Sequence, residues 1–195
     1  MSARLRKVPP IVLACSAVLV LGACGDSHSK VSTGTYAGES GKNAPYLDVG
    51  PLRYQVQLSR QLNPANSEDS SYLKGLTPAQ QALATGQEWF AVFLQVYNRG
   101  DRPAQAAPTV AIDDTQGHVY KPLMATERNE FAYRGGNIRG KGQIPEPDTV
   151  PYFGPTQGEL LLFKIQNESL NNRPLEVKIA NPQKPSETAS AELDV

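Results

Sequence analysis

The chain holds few residues able to do chemistry, and each grouping of them fails on spacing or context. "GGNIRGKG" sets Gly135, four intervening residues and Gly140-Lys141 at the spacing of a phosphate-binding loop. Gly142, however, stands where that loop needs the Ser or Thr hydroxyl that holds Mg²⁺. Such a loop also lies between a strand and a helix whose amino end faces phosphate, whereas here Pro145 and Pro147 follow at once. "GESG", residues 38–41, is one residue short of a nucleophile elbow. His28 and His118 are the only histidines, so a Ser-His-Asp arrangement would have to use His118, just past a turn where a solvated imidazole is expected. Asp113, Asp114, Glu127, Glu130 and Asp148 could supply oxygen ligands to calcium, but none has the spacing of a known calcium loop. Two histidines, and Met124 as the one methionine beyond the first residue, argue against zinc or copper. No metal, cofactor or catalytic residue is therefore expected, and the chain does not read as an enzyme.

The amino terminus carries a different chemistry. Arg4, Arg6 and Lys7 precede an apolar run over residues 8–23 that contains Pro9 and Pro10. A membrane-spanning helix needs about 20 apolar residues, and prolines near its start would leave backbone groups unpaired in lipid. A basic end, a short apolar segment and small residues ahead of a cut describe a secretory signal. Leu21-Gly22-Ala23-Cys24 resembles the lipobox of bacterial lipoproteins, with Gly22 where Ala or Ser is commoner. That resemblance implies a diacylglyceryl group on the Cys24 thiol, and cleavage between Ala23 and Cys24. Two acyl chains anchor stably where one is marginal. The expected location is the cell membrane, lipid-anchored on its extracytoplasmic side, reached by general secretion because no paired arginine is present.

Cys15 would leave with the signal and Cys24 would be acylated, so the mature domain has no disulfide and must rely on its core. Residues 24–195 keep 16 basic against 19 acidic side chains. That balance excludes a nucleic-acid partner and electrostatic adsorption to lipid beyond the anchor itself.

Residues 1–23 read as the signal, 24–45 as a flexible Gly/Ser/Thr-rich tether, 46–180 as the folded domain and 181–195 as a disordered tail. Leu52-Arg53-Tyr54-Gln55-Val56-Gln57-Leu58-Ser59 alternates with period two, placing Leu52, Tyr54, Val56 and Leu58 on one buried strand face. Residues 89–96 are almost continuously apolar, as in a central strand covered on both faces. Residues 109–112 and 119–123 flank "DDTQGH", with Asp114 and Gly117 at the first and fourth positions of a type I turn. Residues 160–165 and 175–179 make two more strands, and Thr77-Pro78 opens the one helix expected. Short strands with regular turn signals indicate an antiparallel β-sandwich.

"WFAVFLQVYNRGDRP", "IDDTQGHVYKP", "GELLLFKI" and "PLEVKI" resemble the secreted immunoglobulin-like domain of unknown function found in Gram-positive lipoproteins. Asn98-Arg99-Gly100, Asp114 with Gly117 and Tyr120, and Gly158 with Leu160 and Phe163 carry the likeness over residues 50–180, with 63–86 as an insertion. It implies an immunoglobulin-like sandwich outside the cell and no catalytic residues. The long irregular stretch 125–155 is where a partner-binding surface is expected, with Phe131, Tyr133, Arg134, Arg139 and Tyr152 as its candidate residues. The alternative is that Phe131, Tyr133 and Phe153 tuck beneath that stretch as a satellite core cluster. The function expected is a lipid-anchored binding or structural module whose partner is an envelope protein or glycan. The alternative is a carboxylate-dependent envelope hydrolase.

Overall fold

The computed structural model describes residues 46–193 except Thr109, together with the backbone of residues 29–32. The signal, Ala23 and Cys24 lie outside the described residues. Among the described residues twelve strands follow in chain order: β1 (Ser29–Ser32), β2 (Tyr46–Val49), β3 (Leu52–Leu62), β4 (Gln87–Asn98), β5 (Ala104–Ala106), β6 (Val110–Asp113), β7 (Val119–Tyr120), β8 (Gly136–Ile138), β9 (Gln143–Ile144), β10 (Glu159–Gln166), β11 (Leu175–Asn181) and β12 (Lys184–Leu193). They form an antiparallel β-sandwich. One sheet runs β10-β4-β3-β2, with β9 beside the end of β4. The other runs β12-β11-β6-β7, with β1 parallel to β12 at its edge, and β5 pairs separately with β8.

The sheets close on one apolar layer. Phe90, Val92, Leu94 and Val96 of β4 meet Ile112, Val177 and Ile179 of the opposite sheet. Leu161, Phe163 and Ile165 project into the same space from β10. The intervening residues of β4 and β10, among them Trp89, Ala91, Phe93, Leu160 and Leu162, form a second cluster on the outer face of the first sheet. An arm made of α1 (Ser67–Tyr72) and α2 (Pro78–Gln81) covers that cluster. Tyr72 sits edge-on between Phe93 and Phe131, at 5.1 and 4.9 Å. This double covering is why residues 89–96 carry almost no polar side chain. The free edge of β10 is blunted by residues 123 and 131–133, whose backbone bonds to Leu160 and Leu162.

Four expectations are corrected. Leu58 does not share the inner face with Leu52, Tyr54 and Val56, because β3 gains one residue between its pairings Val56–Leu94 and Leu58–Phe93. A bulge of one residue inverts the face of everything after it, so Leu58 and Leu62 join the outer cluster. The one expected helix at Thr77 is present with a full capping box, but α1 and a third short helix, α3 (Val150–Phe153), are present too. The tail is not disordered: Ala189, Ala191 and Leu193 are buried, and β12 pairs with β11 along its length. Small and charged residues hid a period of two that needs only Ala, Ala and Leu on its inner face. In the stretch read as a tether, residues 29–32 form a strand.

Candidate functional site

A cleft of about 310 Å³ opens beneath residues 134–147 at the end of the sandwich. Asn98, buried at the end of β4, steadies one wall from behind. Its side-chain nitrogen donates to the carbonyls of Arg102, Ile138 and Arg139 at 2.8, 3.0 and 3.1 Å, and its side-chain oxygen accepts from Gly100 N–H at 3.0 Å. The turn that follows β8 is held in place by further bonds. Lys141 N–H donates to Gly100 O and Asn98 N–H donates to Gly142 O. Gly140 lies so close to Asp101 that an added Cβ would sit 2.1 Å from its carbonyl oxygen, so no side chain fits there. The resemblance to a phosphate loop is thereby explained: Gly140 serves a close backbone crossing, and the element that follows is the strand β9 rather than a helix.

The floor of the cleft carries Glu159, the first residue of β10. It pairs with Leu94 and lies in phase with Leu161, Phe163 and Ile165, so its side chain heads the inward row of the strand. Burial raises its carboxyl to about 7. The Arg134 backbone N–H and guanidinium oppose the rise, and nearby Glu146 adds to it. Between about pH 4.5 and pH 7 the folded protein therefore holds a proton that the unfolded chain has lost, and stability falls as pH rises through that window. Glu159→Gln should leave stability near pH 4.5 unchanged and raise it at pH 8 by about 1–2 kcal/mol, the full shift being discounted for partial exposure. Denaturant midpoints of the two proteins at both pH values check this.

Of the three lining cations, two donate to groups of the protein itself. The Arg134 guanidinium donates to the carbonyls of Ala125, Thr126 and Asn129. Lys141 Nζ donates to Arg99 O at 2.7 Å and lies 3.2 Å from Asp101. Arg139 is exposed, and its guanidinium has no polar partner among the described residues. Asn137, Gln143, Ile138, Ile144 and Pro147 complete the lining.

The residues expected to bind a partner thus divide. Arg134 and Arg139 line the cleft. Tyr133 does not: it is buried, and its hydroxyl donates to Ala107 O at 2.8 Å while Tyr54 accepts from Ala107 N–H. Phe131 packs with Tyr72 in the outer cluster, as the satellite-core alternative has it. Tyr152 stacks edge-on with Phe153 at 4.7 Å on α3, away from the cleft lining, and Phe153 is 69 % exposed rather than tucked under. The apolar run that marks β10 in the sequence begins at Leu160 and leaves Glu159 outside it. The signal available was a lone acid in phase with three inward apolar residues.

The five carboxylates weighed for calcium are not gathered: among the described residues no three His, Cys, Asp or Glu side chains converge. Asp113 pairs with Lys178, and Glu127 lies 3.7 Å from Arg134. Asp114, His118 and Ser169 do meet, but in an order that gives no nucleophile. Asp114 Oδ2 accepts from Ser169 Oγ at 2.6 Å and faces His118 Nδ1 at 2.8 Å, so serine and histidine share one carboxylate oxygen. Ser169 is 1 % exposed and has no imidazole to take its proton.

No family model matches the chain, and no curated protein matches it. Among solved structures the chain is similar to yjhA of Bacillus subtilis, with 9 % identity, 77 % of this chain and 97 % of the other covered, and a TM-score of 0.49. It is also similar to ycdA of Bacillus subtilis, a candidate lipoprotein, with 9 % identity, 76 % and 38 % covered, and a TM-score of 0.46. An uncharacterized β-sandwich protein of Clostridium difficile 630 gives 9 % identity, 84 % and 95 % covered, and a TM-score of 0.43. All three scores lie below 0.5, and the architecture rests on this chain's own strand pairing. Among the described residues no helix is long and apolar enough to cross a membrane.

Proposed function

We propose that this protein is a binding module, held at the outer face of the cell membrane by a diacylglyceryl group on Cys24, and that the Glu159 cleft receives its partner from the cell envelope. The observation that carries the reading is the cleft itself. An acid heads the inward row of a core strand and lines a cleft whose wall Asn98 holds through the carbonyls of Ile138 and Arg139. A desolvated carboxyl in a concave, rigidly framed site is a mark of function rather than of packing, since a core strand gains nothing by placing an acid there. The Leu21-Gly22-Ala23-Cys24 motif supports the anchor.

A carboxylate-dependent hydrolase is the second reading, favoured by one observation: Glu159 and Glu146 line the same cleft, with Glu159 raised to about 7. Two carboxyls in one cleft, one of them raised by burial, are the pairing that glycoside hydrolysis uses. The two readings part experimentally. Under the binding reading, isolated envelope material protects residues 134–147 from amide exchange and is recovered unchanged. Under the hydrolytic reading it is cleaved.

A further inference from the structure

The strand pairings fix which end of the sandwich a lipid on Cys24 reaches. The β2–β3 turn, the β11–β12 turn and the end of β4 lie together. Gly50 N–H donates to Glu187 Oε1 at 2.8 Å, a Cβ on Gly50 would sit 2.7 Å from Asn181 Nδ2, and Leu52 pairs with Asn98. β1 enters at that end, with Ser29 opposite Thr188, and runs away from it toward Ala191. Cys24 precedes Ser29 by five residues, which span at most about 18 Å. β4 alone, with its 12 residues, is about 40 Å long. An anchor on Cys24 therefore holds the Asn98 end toward the bilayer, and the opposite end, where Asp114 meets Ser169, cannot turn to it.

The Asn98 end also gathers positive charge. Residues 99–102 and 139–141 cross there, joined by Lys141 N–H to Gly100 O, by Lys141 Nζ to Arg99 O at 2.7 Å and by the close approach of Gly140 to Asp101. Arg99, Arg102, Arg139 and Lys141 are all exposed on these two loops. The acids beside them are Asp101, 3.2 Å from Lys141, and Glu146, which lines the cleft with Arg139 and Lys141. Bonds to carbonyls leave a cation its charge, so four positive groups stand against two negative ones. Elsewhere at this end charges are matched: Arg53 pairs with Asp48 at 2.7 Å, and Arg134 offsets Glu159 within the cleft.

We propose that residues 99–102 and 139–141 form a docking surface for anionic lipid headgroups, which seats the Asn98 end of the sandwich on the membrane that holds the Cys24 anchor. The proposal rests on that anchor and goes beyond the cleft's own partner. Guanidinium and ammonium groups make charge-assisted bonds to phosphate oxygens, arginine in bidentate form. The balance of 16 basic against 19 acidic side chains over residues 24–195 opposes adsorption of a free domain. An anchored domain differs, because contact becomes intramolecular and only the end turned to the bilayer takes part. Each cation close to an anionic surface favours contact about fivefold. The cleft opens beside this corner, so its partner meets it next to the bilayer.

The test uses the full-length lipidated protein in nanodiscs of phosphatidylcholine, alone or mixed with phosphatidylglycerol. Both discs carry a trace of nitroxide-headgroup lipid, and NMR reads the relaxation enhancement of backbone amides. Gly100 and Gly140 report on the corner, and Gly117, in the β6–β7 turn, reports on the opposite end. In anionic discs the enhancement at Gly100 and Gly140 should exceed that at Gly117 at least fivefold, and in phosphatidylcholine discs it should fall at least threefold. Arg99→Gln/Arg102→Gln/Arg139→Gln, which leaves Lys141 and its bonds in place, should give the phosphatidylcholine value in anionic discs with the β11 amide shifts unchanged. High salt should bring the wild type to the same value. Equal corner enhancement in the two discs, indifference to salt, full enhancement in the triple variant, or the strongest enhancement at Gly117 would each overturn the docking surface and leave the anchor standing. Protein that stays with neither disc would remove the anchor and this orientation together.

Discussion

Replacing Cys24 by alanine is expected to abolish lipid attachment and to leave the precursor uncut. Only a thiol can form the thioether to diacylglycerol, and alanine offers no nucleophile in its place. Cleavage ahead of residue 24 depends on that modification in the class of proteins the motif resembles, so the variant should retain residues 1–23 and migrate as the longer species. The argument rests on Leu21-Gly22-Ala23-Cys24 and on an apolar run too short, and too rich in proline at its start, to serve as a spanning helix. Metabolic labelling with palmitate, followed by fractionation, reads the outcome directly. Label in the membrane fraction should fall from full incorporation to none. Label on the Cys24→Ala protein, or an unlabelled wild type, would remove the anchor from this account.

Asp114→Ala is expected to destabilise the domain by about 2–4 kcal/mol, more than a turn residue alone would give. Asp114 Oδ1 accepts the N–H groups of Gln116 and His118 at 2.9 Å each, which closes the β6–β7 turn. Oδ2 reaches across to Ser169 in the 3-10 turn after β10, and Ser169 in turn meets the Tyr120 hydroxyl at 2.6 Å. One side chain therefore ties the hairpin of one sheet to the strand end of the other, and alanine leaves buried donors without acceptors. Burial alone would raise the Asp114 carboxyl. The bonds from Ser169, from the His118 ring and from the two backbone amides overcome that and hold it at about 2. Its contribution is therefore complete above about pH 4 and is lost as pH falls toward 2. The stability gap between wild type and Asp114→Ala should shrink across that interval and be constant above it. A denaturation midpoint unchanged by the substitution at pH 7 would contradict the network. Gly117, at φ +86° with open space where a Cβ would lie, explains the turn's other requirement: the backbone conformation and not crowding keeps it glycine.

Legibility followed the apolar period. Where it was unbroken, in β3 up to Val56, in β4 and in β10, strands and their faces could be read, and the "DDTQGH" turn announced itself through Asp114 and Gly117. It failed where an element carries its information elsewhere. A bulge at residue 57 has no side-chain signature, yet it turned Leu58 to the opposite face. β12 shows its inner face as Ala189, Ala191 and Leu193, which composition alone reads as tail. α1 is capped by Asn66, whose side chain accepts from Glu68 and Asp69 N–H, but it follows no apolar stripe that would have announced it. The candidate site was half visible. Arg134 and Arg139 stood out as cations among glycines, whereas Tyr133 looked like a surface aromatic until the fold placed Ala107 against its hydroxyl. Glu159 needed the strand's phase, and phase is available only once the strand's first residue is known. Asn98 was legible as a turn residue, but its hold on Ile138 and Arg139 crosses forty residues and no local pattern encodes it.

The most direct test of the cleft as the binding site is an amide-exchange footprint of the lipidated protein, with and without isolated envelope material. Slowed exchange should concentrate in residues 134–147 and at the start of β10, where the Glu159 side chain meets the Arg134 N–H, and should disappear in Glu159→Gln. Protection confined to the exposed corner at Val150 and Phe153, or to the groove lined by Leu73, Leu83 and Trp89, would place the interaction elsewhere and contradict the account.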